Sequence, residues 1–251
     1  MLTIVCFKWR PEDYWSGPSR CEFTAEHVNV LRSMVARNYT DPHRFVCITD
    51  DPEGIEGETY PLWEDFRFIE NPLHKWVSCY RRLKIFSKEM KEIFGPRILV
   101  LDLDCVIVDD MRPVWNRPEP FVGIRLHPVG NSHLRTRGQR LDDSYGGAMY
   151  LMDTGAFDYV YEDFRRDTIN APLEAIHHGY LGSDQAWISY KLGPGHPVWT
   201  VEDDGVRSAR FDALLYRTRA RPGCRIVHFH GKPRPWDEKA QRLRWVRENW
   251  R

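Results

Sequence analysis

The amino-acid sequence predicts an α/β fold in which helices flank a mostly parallel central sheet. Apolar, β-branched runs alternate with helical patterns through the first half of the 251 residues, as expected for parallel strands joined by crossover helices. A nearly continuous apolar run at residues 98–108 has the composition of a central strand covered on both faces. No repeat, low-complexity tract or linker interrupts the chain, so one domain over residues 1–251 is expected.

The predicted elements begin with a strand at residues 3–7 and a helix that opens at Thr24, a residue type that favours the N-cap position. Apolar residues at helical spacing define the inner face of this helix: Val28, Leu31, Val35 and Tyr39. The same criterion predicts helices at residues 77–90 and 236–251, and residues 182–192 are expected to form a turn that leads into a short helix. Further strands are expected at residues 44–49, 121–126, 148–152 and 225–230.

Charge is balanced overall but unevenly distributed. The chain has 36 basic and 36 acidic side chains, which argues against a generic nucleic-acid-binding protein. Residues 205–251 contain 13 Lys and Arg against 4 Asp and Glu, so this tail has a formal charge of +9 and the remainder −9. The basic C-terminal helix at 236–251 has two interpretations: a closing helix packed on the sheet, or a peripheral contact with an anionic membrane.

The sequence favours a cytoplasmic protein, either free or peripheral at the inner membrane face. No apolar run approaches the ~20 residues of a membrane span, and the first residues lack the basic n-region of a signal peptide. The six cysteines are scattered, with neither a CxxC pair nor zinc-ligand spacing. We therefore expect reduced cysteines, several of them in the core.

Two carboxylates interrupt the central apolar run. If the run is one strand, the side chains of Asp102 and Asp104 leave the same face. Ionised carboxylates in apolar surroundings need a partner, and a pair of them suits Mg²⁺ or Mn²⁺. The Asp-x-Asp motif therefore predicts a divalent metal site at the carboxyl edge of the sheet, where open α/β folds usually bind ligands. The alternative is a pair of solvated aspartates at a strand end.

The late strand leads into a second polar cluster, His228-Phe-His-Gly-Lys-Pro-Arg-Pro-Trp236. A histidine leaving a strand could add a nitrogen ligand to the metal. The backbone N–H of Gly231 and the cations of Lys232 and Arg234 could hold a diphosphate. A histidine among aromatic residues is more often a core residue, but metal and phosphate anchors are complementary halves of one site.

A third motif, Gly182-Ser-Asp-Gln, opens a predicted helix with Asp184 and Gln185. Taken alone, the aspartate is equally well explained as a helix N-terminal cap. The three motifs together, in this order, resemble those of GT-A-fold glycosyltransferases. They are most similar to the glycogenin and lipopolysaccharide galactosyltransferase family, glycosyltransferase family 8, and the resemblance extends from the first strand to Trp236.

The resemblance implies a GT-A (Rossmann-like) fold and a hexosyltransferase-like activity. A nucleotide-sugar donor, usually a UDP-sugar, is expected to bind with Mn²⁺ or Mg²⁺ at the carboxyl edge of the sheet. The sugar would pass to a hydroxyl acceptor such as a saccharide, with retention at the anomeric carbon.

The resemblance also implies a role for each motif residue. The aspartates Asp102 and Asp104 match the metal-binding pair, and His228 matches the third protein ligand. Gly231 with Lys232 or Arg234 matches the diphosphate-binding turn, and Arg82 occupies the place of a basic residue that approaches the donor. The candidate catalytic residues, near the sugar and the acceptor, are Asp184 and Gln185.

Two departures from the family leave alternatives open. A family lysine six residues beyond the metal histidine is replaced by Arg234, and an asparagine that contacts the sugar is replaced by Gly146. A catalytically weak relative that only binds sugar nucleotides is therefore one alternative. A separate alternative is a haloacid dehalogenase-type phosphatase with Asp102 as nucleophile, because Asp102-Leu-Asp-Cys-Val106 also fits the opening motif of that family. That family, however, places its nucleophile near the start of the domain.

Overall fold

The structure, a computed structural model, describes residues 1–10, 23–73, 79–125 and 143–251. Seven strands form the large sheet: β1 (Leu2–Lys8), β2 (His43–Thr49), β3 (Glu58–Pro61), β4 (Arg97–Leu101), β6 (Phe121–Arg125), β7 (Tyr145–Asp153) and β8 (Val198–Trp199). Three strands form the small sheet: β5 (Cys105–Ile107), β9 (Val206–Ser208) and β10 (Ile226–His228).

The large sheet has the strand order β3-β2-β1-β4-β7-β6-β8. Four of its six pairings are parallel, and β7 runs antiparallel to both of its neighbours, β4 and β6. The predicted α/β class with a mostly parallel central sheet is therefore confirmed. In the small sheet, β10 pairs antiparallel with β5 and parallel with β9.

The helices pack against both faces of the large sheet. They are α1 (Ala25–Asn38), α2 (Met90–Phe94), α3 (Arg112–Trp115), α4 (Tyr159–Arg166), α5 (Ala171–His177), α6 (Asp184–Leu192), α7 (Glu238–Gln241) and α8 (Arg244–Asn249). Every residue of β1 is buried because alternate side chains enter different cores: Ile4 packs with Leu31 of α1, and Val5 packs with Leu83 on the opposite face. As predicted, Thr24 is the N-cap of α1, and its N–H donates to Nδ1 of His27 at 3.0 Å.

The apolar run at residues 98–108 is not one strand. It divides into β4 of the large sheet and β5 of the small sheet, with Asp102-Leu-Asp104 in the bend between them. The expectation that the two aspartates share one face of a strand is therefore wrong. Each stretch of the run pairs with a different sheet, so the chain has to change direction where the carboxylates interrupt the apolar pattern.

The helix predicted at residues 77–90 begins outside the described residues. Its described part is a 3₁₀ helix, Cys79–Phe86, followed by the α-helix α2. Tyr80, Leu83 and Phe86 are three residues apart, which is the repeat of a 3₁₀ helix, and all three are buried.

The C-terminal segment predicted as one helix contains two short helices, α7 and α8. Ala240, Trp245 and Val246 from these helices are buried in the core between α1 and the small sheet. This packing matches the closing-segment interpretation of the tail. Within the described residues, no helix is long and apolar enough to cross a membrane; the cellular location stays a prediction.

Candidate functional site

The bend between β4 and β5 joins the first motif to the last. The N–H of Asp102 donates to the carbonyl of Ala148 in β7 at 2.8 Å, which holds this residue on the large sheet. The carbonyl of Asp104 accepts the N–H of Phe229 at 2.9 Å, which holds the second aspartate against the end of β10. The Asp-x-Asp motif and the segment that follows His228 are therefore neighbours.

Arg82 lies at the centre of the site, with only 8% of its side chain exposed. Its Nη1 is 3.1 Å from Oδ1 of Asp102, and its Nε is 3.5 Å from Oδ2 of Asp184. Its Nη2 donates to the carbonyl of Gly147 at 2.6 Å. Burial alone lowers the pKa of Arg82, but the charges of Asp102 and Asp184 outweigh it and raise the pKa, so the guanidinium stays charged.

The two carboxylates beside Arg82 differ in their surroundings. Burial raises the pKa of Asp102 while the charge of Arg82 opposes that rise. Asp184 is the first residue of α6 and follows the N-cap Ser183, whose hydroxyl donates to Oδ1 of Asp184 at 2.9 Å. Its Oδ2 and the Nε of Arg82 are buried and have no hydrogen-bond partner among the described residues. The capping interpretation of Asp184 is wrong, because Ser183 holds the cap position and the carboxylate faces Arg82.

Gln185 joins the same network through the backbone of β7. The N–H of Gly147 donates to Oε1 of Gln185 at 3.3 Å, on the same residue whose carbonyl binds Arg82. The preceding residue, Gly146, is packed closely, since a Cβ there would lie 3.0 Å from Cγ1 of Ile124. An asparagine side chain at Gly146 would therefore have to displace Ile124.

His228 is the most deeply buried histidine of the site, with 2% of its surface exposed. Both ring nitrogens lack a hydrogen-bond partner among the described residues. Burial, helped by the neighbouring His230, lowers the pKa of His228 to about 3, so the ring is neutral near pH 7. An unsatisfied neutral imidazole in the interior needs an explanation, and a metal ion or a ligand hydrogen bond would supply one.

The turn after β10 separates its two cations. Arg234 forms an ion pair with Asp104, and the backbone N–H of Arg234 donates to Oδ2 of Asp237 at 2.8 Å. Lys232 is exposed and has neither an ion pair nor a hydrogen bond with the described residues. Gly231 has φ +79°, a conformation that favours glycine.

The chemistry of these residues suits a hard divalent cation, although the side chains hold other partners. Two carboxylates and a neutral imidazole are suitable ligands for Mn²⁺ or Mg²⁺. Asp102 is bound to Arg82 and Asp104 to Arg234. Over the described ranges, no three His, Cys, Asp or Glu side chains are clustered closely enough to hold a metal ion.

A pocket of about 510 Å³ adjoins the site, with Gln185 and His228 in its wall. It lies between the ends of β6, β7 and β8 in the large sheet and of β9 and β10 in the small sheet, and this volume is within the range of small-molecule sites. Three arginines that sequence analysis did not single out contribute to its wall: Arg125, Arg207 and Arg210. The concentration of positive charge after residue 205 was the only sequence signal for two of them.

The chain matches no protein-family model and no curated protein. Among solved structures, the galactosyltransferase LgtC in complex with donor and acceptor sugar analogs aligns over 98% of this chain and 96% of its own, with a TM-score of 0.57 and 16% identity. An active-site mutant of LgtC, in which a glutamine is changed to glutamate, aligns over 98% and 95% with a TM-score of 0.57 and 17% identity.

The glycosyltransferase GlyE of Streptococcus pneumoniae TIGR4 aligns over all of this chain and 62% of its own, with a TM-score of 0.59 and 11% identity. The bifunctional glycosyltransferase WbbM aligns over 98% and 50%, with a TM-score of 0.55 and 12% identity. At these identities the similarity concerns the fold. The protein therefore has the fold of the GT-A glycosyltransferases, as its three ordered motifs predicted.

Proposed function

We propose that the protein is a metal-dependent glycosyltransferase. It would transfer a sugar from a nucleoside-diphosphate sugar, of the UDP type, to a hydroxyl acceptor such as a saccharide, with retention at the anomeric carbon. The main support is one juxtaposition: Asp102, Asp104 and the segment after His228 meet at the end of β4, in a chain with the fold of known glycosyltransferases. The carboxyl edge of such a sheet is the usual place for a ligand.

The buried network suits the sugar end of the donor. Oδ2 of Asp184 and Nε of Arg82 face each other at 3.5 Å as a buried ion pair that is too long for a hydrogen bond. A sugar hydroxyl that reached them could donate to the first or accept from the second. Gln185 binds the backbone of Gly147 next to this network and also lines the pocket, so its amide is in a position to contact both donor sugar and acceptor. LgtC, which shares this fold, also has a glutamine in its active site.

Asp102, Asp104 and His228 are the residues that would hold Mn²⁺ or Mg²⁺. The unpartnered ring nitrogens of His228 support this assignment, and the two aspartates would have to exchange Arg82 and Arg234 for the cation. A bound divalent cation neutralises charge on the diphosphate leaving group. Gly231, Lys232 and Arg234 would contribute backbone and side-chain donors to the same diphosphate, which lowers the barrier electrostatically.

A thermal-shift titration tests the donor and the metal together. We expect the melting temperature to rise with UDP only when Mn²⁺ is present, since a ligand that binds only the folded state stabilises it by about 2.7 kcal/mol at 100 times Kd. Asp102→Asn should lose this response. Asp109→Asn is the matched control, because Asp109 is nearby in sequence with 60% of its side chain exposed. An equal response without Mn²⁺, or a full response in Asp102→Asn, contradicts the metal assignment.

Two activity measurements separate the alternatives. Slow hydrolysis of a UDP-sugar in the presence of Mn²⁺ is expected for a transferase without its acceptor, whereas a relative that only binds sugar nucleotides would show none. Release of phosphate from p-nitrophenyl phosphate, lost in Asp102→Asn, would instead indicate the phosphatase chemistry and overturn the proposal.

A further inference from the structure

Three arginines line the pocket, and unlike Arg82 and Arg234 they have no carboxylate partner among the described residues. Arg125 ends β6, Arg207 lies in β9 and Arg210 follows it, and all three line the pocket of about 510 Å³. Within the described part of the chain, none of the three forms an ion pair. Cations placed together without counter-charges repel one another, so an anion bound among them would be stabilised.

Arg207 shows the need for a partner most directly. Its Nη2 reaches the carbonyl of Val201 at the long distance of 3.4 Å, and its Nε is buried without any hydrogen-bond partner among the described residues. A buried donor left unsatisfied destabilises the fold. Arg210 lies over the ring of Phe211, with 5.8 Å from its guanidinium carbon to the ring centre, and stays exposed.

The pocket wall has fewer acidic side chains than arginines, so its net charge is positive. Asp212 and Glu202 also line it, two carboxylates against three guanidinium groups. Oδ2 of Asp212 accepts the backbone N–H of Ser208 at 2.6 Å, so this oxygen is committed to the end of β9. Glu202 is exposed and forms no ion pair among the described residues.

We propose that this pocket binds an acceptor saccharide that carries an anionic group, a carboxylate or a phosphate ester, recognised by Arg125, Arg207 and Arg210. Guanidinium groups match both anions because they can donate two parallel hydrogen bonds to two oxygens. Gln185 lines the same pocket and also binds the backbone of Gly147 beside Arg82, so an acceptor anchored at the three arginines would lie next to the residues proposed to bind the donor. The inference specifies the substrate class and rests on the function proposed above.

Ligand-observed NMR titrations test it with three sugars of one size: D-glucuronate, D-glucose 6-phosphate and uncharged D-glucose. We expect at least one anionic sugar to bind about tenfold more tightly than glucose, which corresponds to about 1.4 kcal/mol, because hydrogen bonds between charged groups are stronger than those between neutral groups. Preference for glucuronate identifies a carboxylate, and preference for the phosphate identifies a phosphate ester. Arg207→Gln should remove most of the advantage.

Arg217→Gln is the matched control, because Arg217 is an exposed arginine of the same segment without an ion pair and outside the pocket wall. It should leave the anionic preference unchanged. The inference is overturned when glucose binds as tightly as both anionic sugars, when neither anionic sugar binds, or when Arg217→Gln loses as much as Arg207→Gln. Far-ultraviolet circular dichroism of each variant checks that it is folded.

The same samples separate this inference from the proposed function. UDP with Mn²⁺ is titrated on the wild-type chain and on Lys232→Gln, whose exposed cation belongs to the diphosphate turn. Loss of UDP affinity in Lys232→Gln with unchanged binding of the anionic sugar supports two separate sites. Binding of the anionic sugar without any binding of UDP contradicts the donor assignment alone. An anionic preference lost in Lys232→Gln overturns the pocket assignment, because the sugar would then occupy the diphosphate turn.

Discussion

Two groups of arginines in and around the candidate site differ in what balances their charge. Arg82 and Arg234 form ion pairs with Asp102, Asp184 and Asp104. Arg125, Arg207 and Arg210 have no such partner in the described residues. The paired arginines hold the carboxylates of the site in place within the protein itself, whereas the charge of the unpaired group is left for a ligand to neutralise.

The largest loss of stability is expected when Arg82, an arginine of the paired group, is replaced. Arg82→Met would leave Asp102 and Asp184 without their buried counter-charge, and breaking such a pair costs about 3–5 kcal/mol. We expect the free energy of unfolding, measured in urea near pH 7, to fall by about 3 kcal/mol. A loss below about 0.5 kcal/mol, the size of an ordinary surface change, would show that Arg82 does not compensate the carboxylates.

A smaller, pH-dependent effect on the free energy of unfolding is expected just before β6. Arg117 there forms an ion pair with Glu119, whereas Arg125 at the end of β6 forms none among the described residues. Nη2 of Arg117 is 2.6 Å from Oε1 of Glu119. Hydrogen bonds from Arg117 lower the pKa of Glu119 from 4.5 to about 2. Since the folded pKa is the lower one, ionised Glu119 stabilises the fold above pH 4.5, and this contribution is lost as the pH falls towards 2.

Glu119→Gln should therefore cost about 1 kcal/mol near neutral pH, the upper end for a partly exposed pair, and less as the solution is acidified. Urea unfolding of the wild type and the variant at several pH values measures the difference. A cost that stays constant across the acidic range would mean that the interaction does not depend on the charge of Glu119.

The smallest change in stability is expected for the unpaired arginines. Arg125→Gln and Arg210→Gln remove exposed cations without leaving a carboxylate unpartnered, so the free energy of unfolding should change by less than about 0.5 kcal/mol. A stabilised variant would sharpen the contrast, because it would show that mutual repulsion among these cations opposes folding. A loss comparable to that of Arg82→Met would remove the distinction between the two groups.

Residue type and spacing correctly predicted those helices and strands that depend mainly on local sequence. The β-branched run of β1 and the N-cap at Thr24 follow from residue type and spacing alone. The order of the three motifs also predicted the fold. The direction of β7 and the short strands β3, β8 and β9 could not be predicted in this way, because pairing partners distant in sequence determine them.

Within the site, composition identified the motif residues but not their partners. Apolar flanks suggested a continuous strand through Asp102 and Asp104, whereas the bend depends on hydrogen bonds to Ala148 and Phe229, far along the chain. The ion pair between Arg234 and Asp104 likewise requires the turn after β10 to reach back across 130 residues. Nothing in the sequence distinguishes Arg207 from the other arginines of the tail, and only the assembled sheets place it in a pocket wall.

The bend at the Asp-x-Asp motif has a mechanical consequence. The backbone of Asp102 is fastened to the large sheet through Ala148, and that of Asp104 to the small sheet through Phe229. The two carboxylates are two residues apart in sequence, yet each is attached to a different body of the fold. Any sliding or rotation of one sheet against the other therefore changes the distance between these carboxylates directly, because only Leu103 separates the two residues.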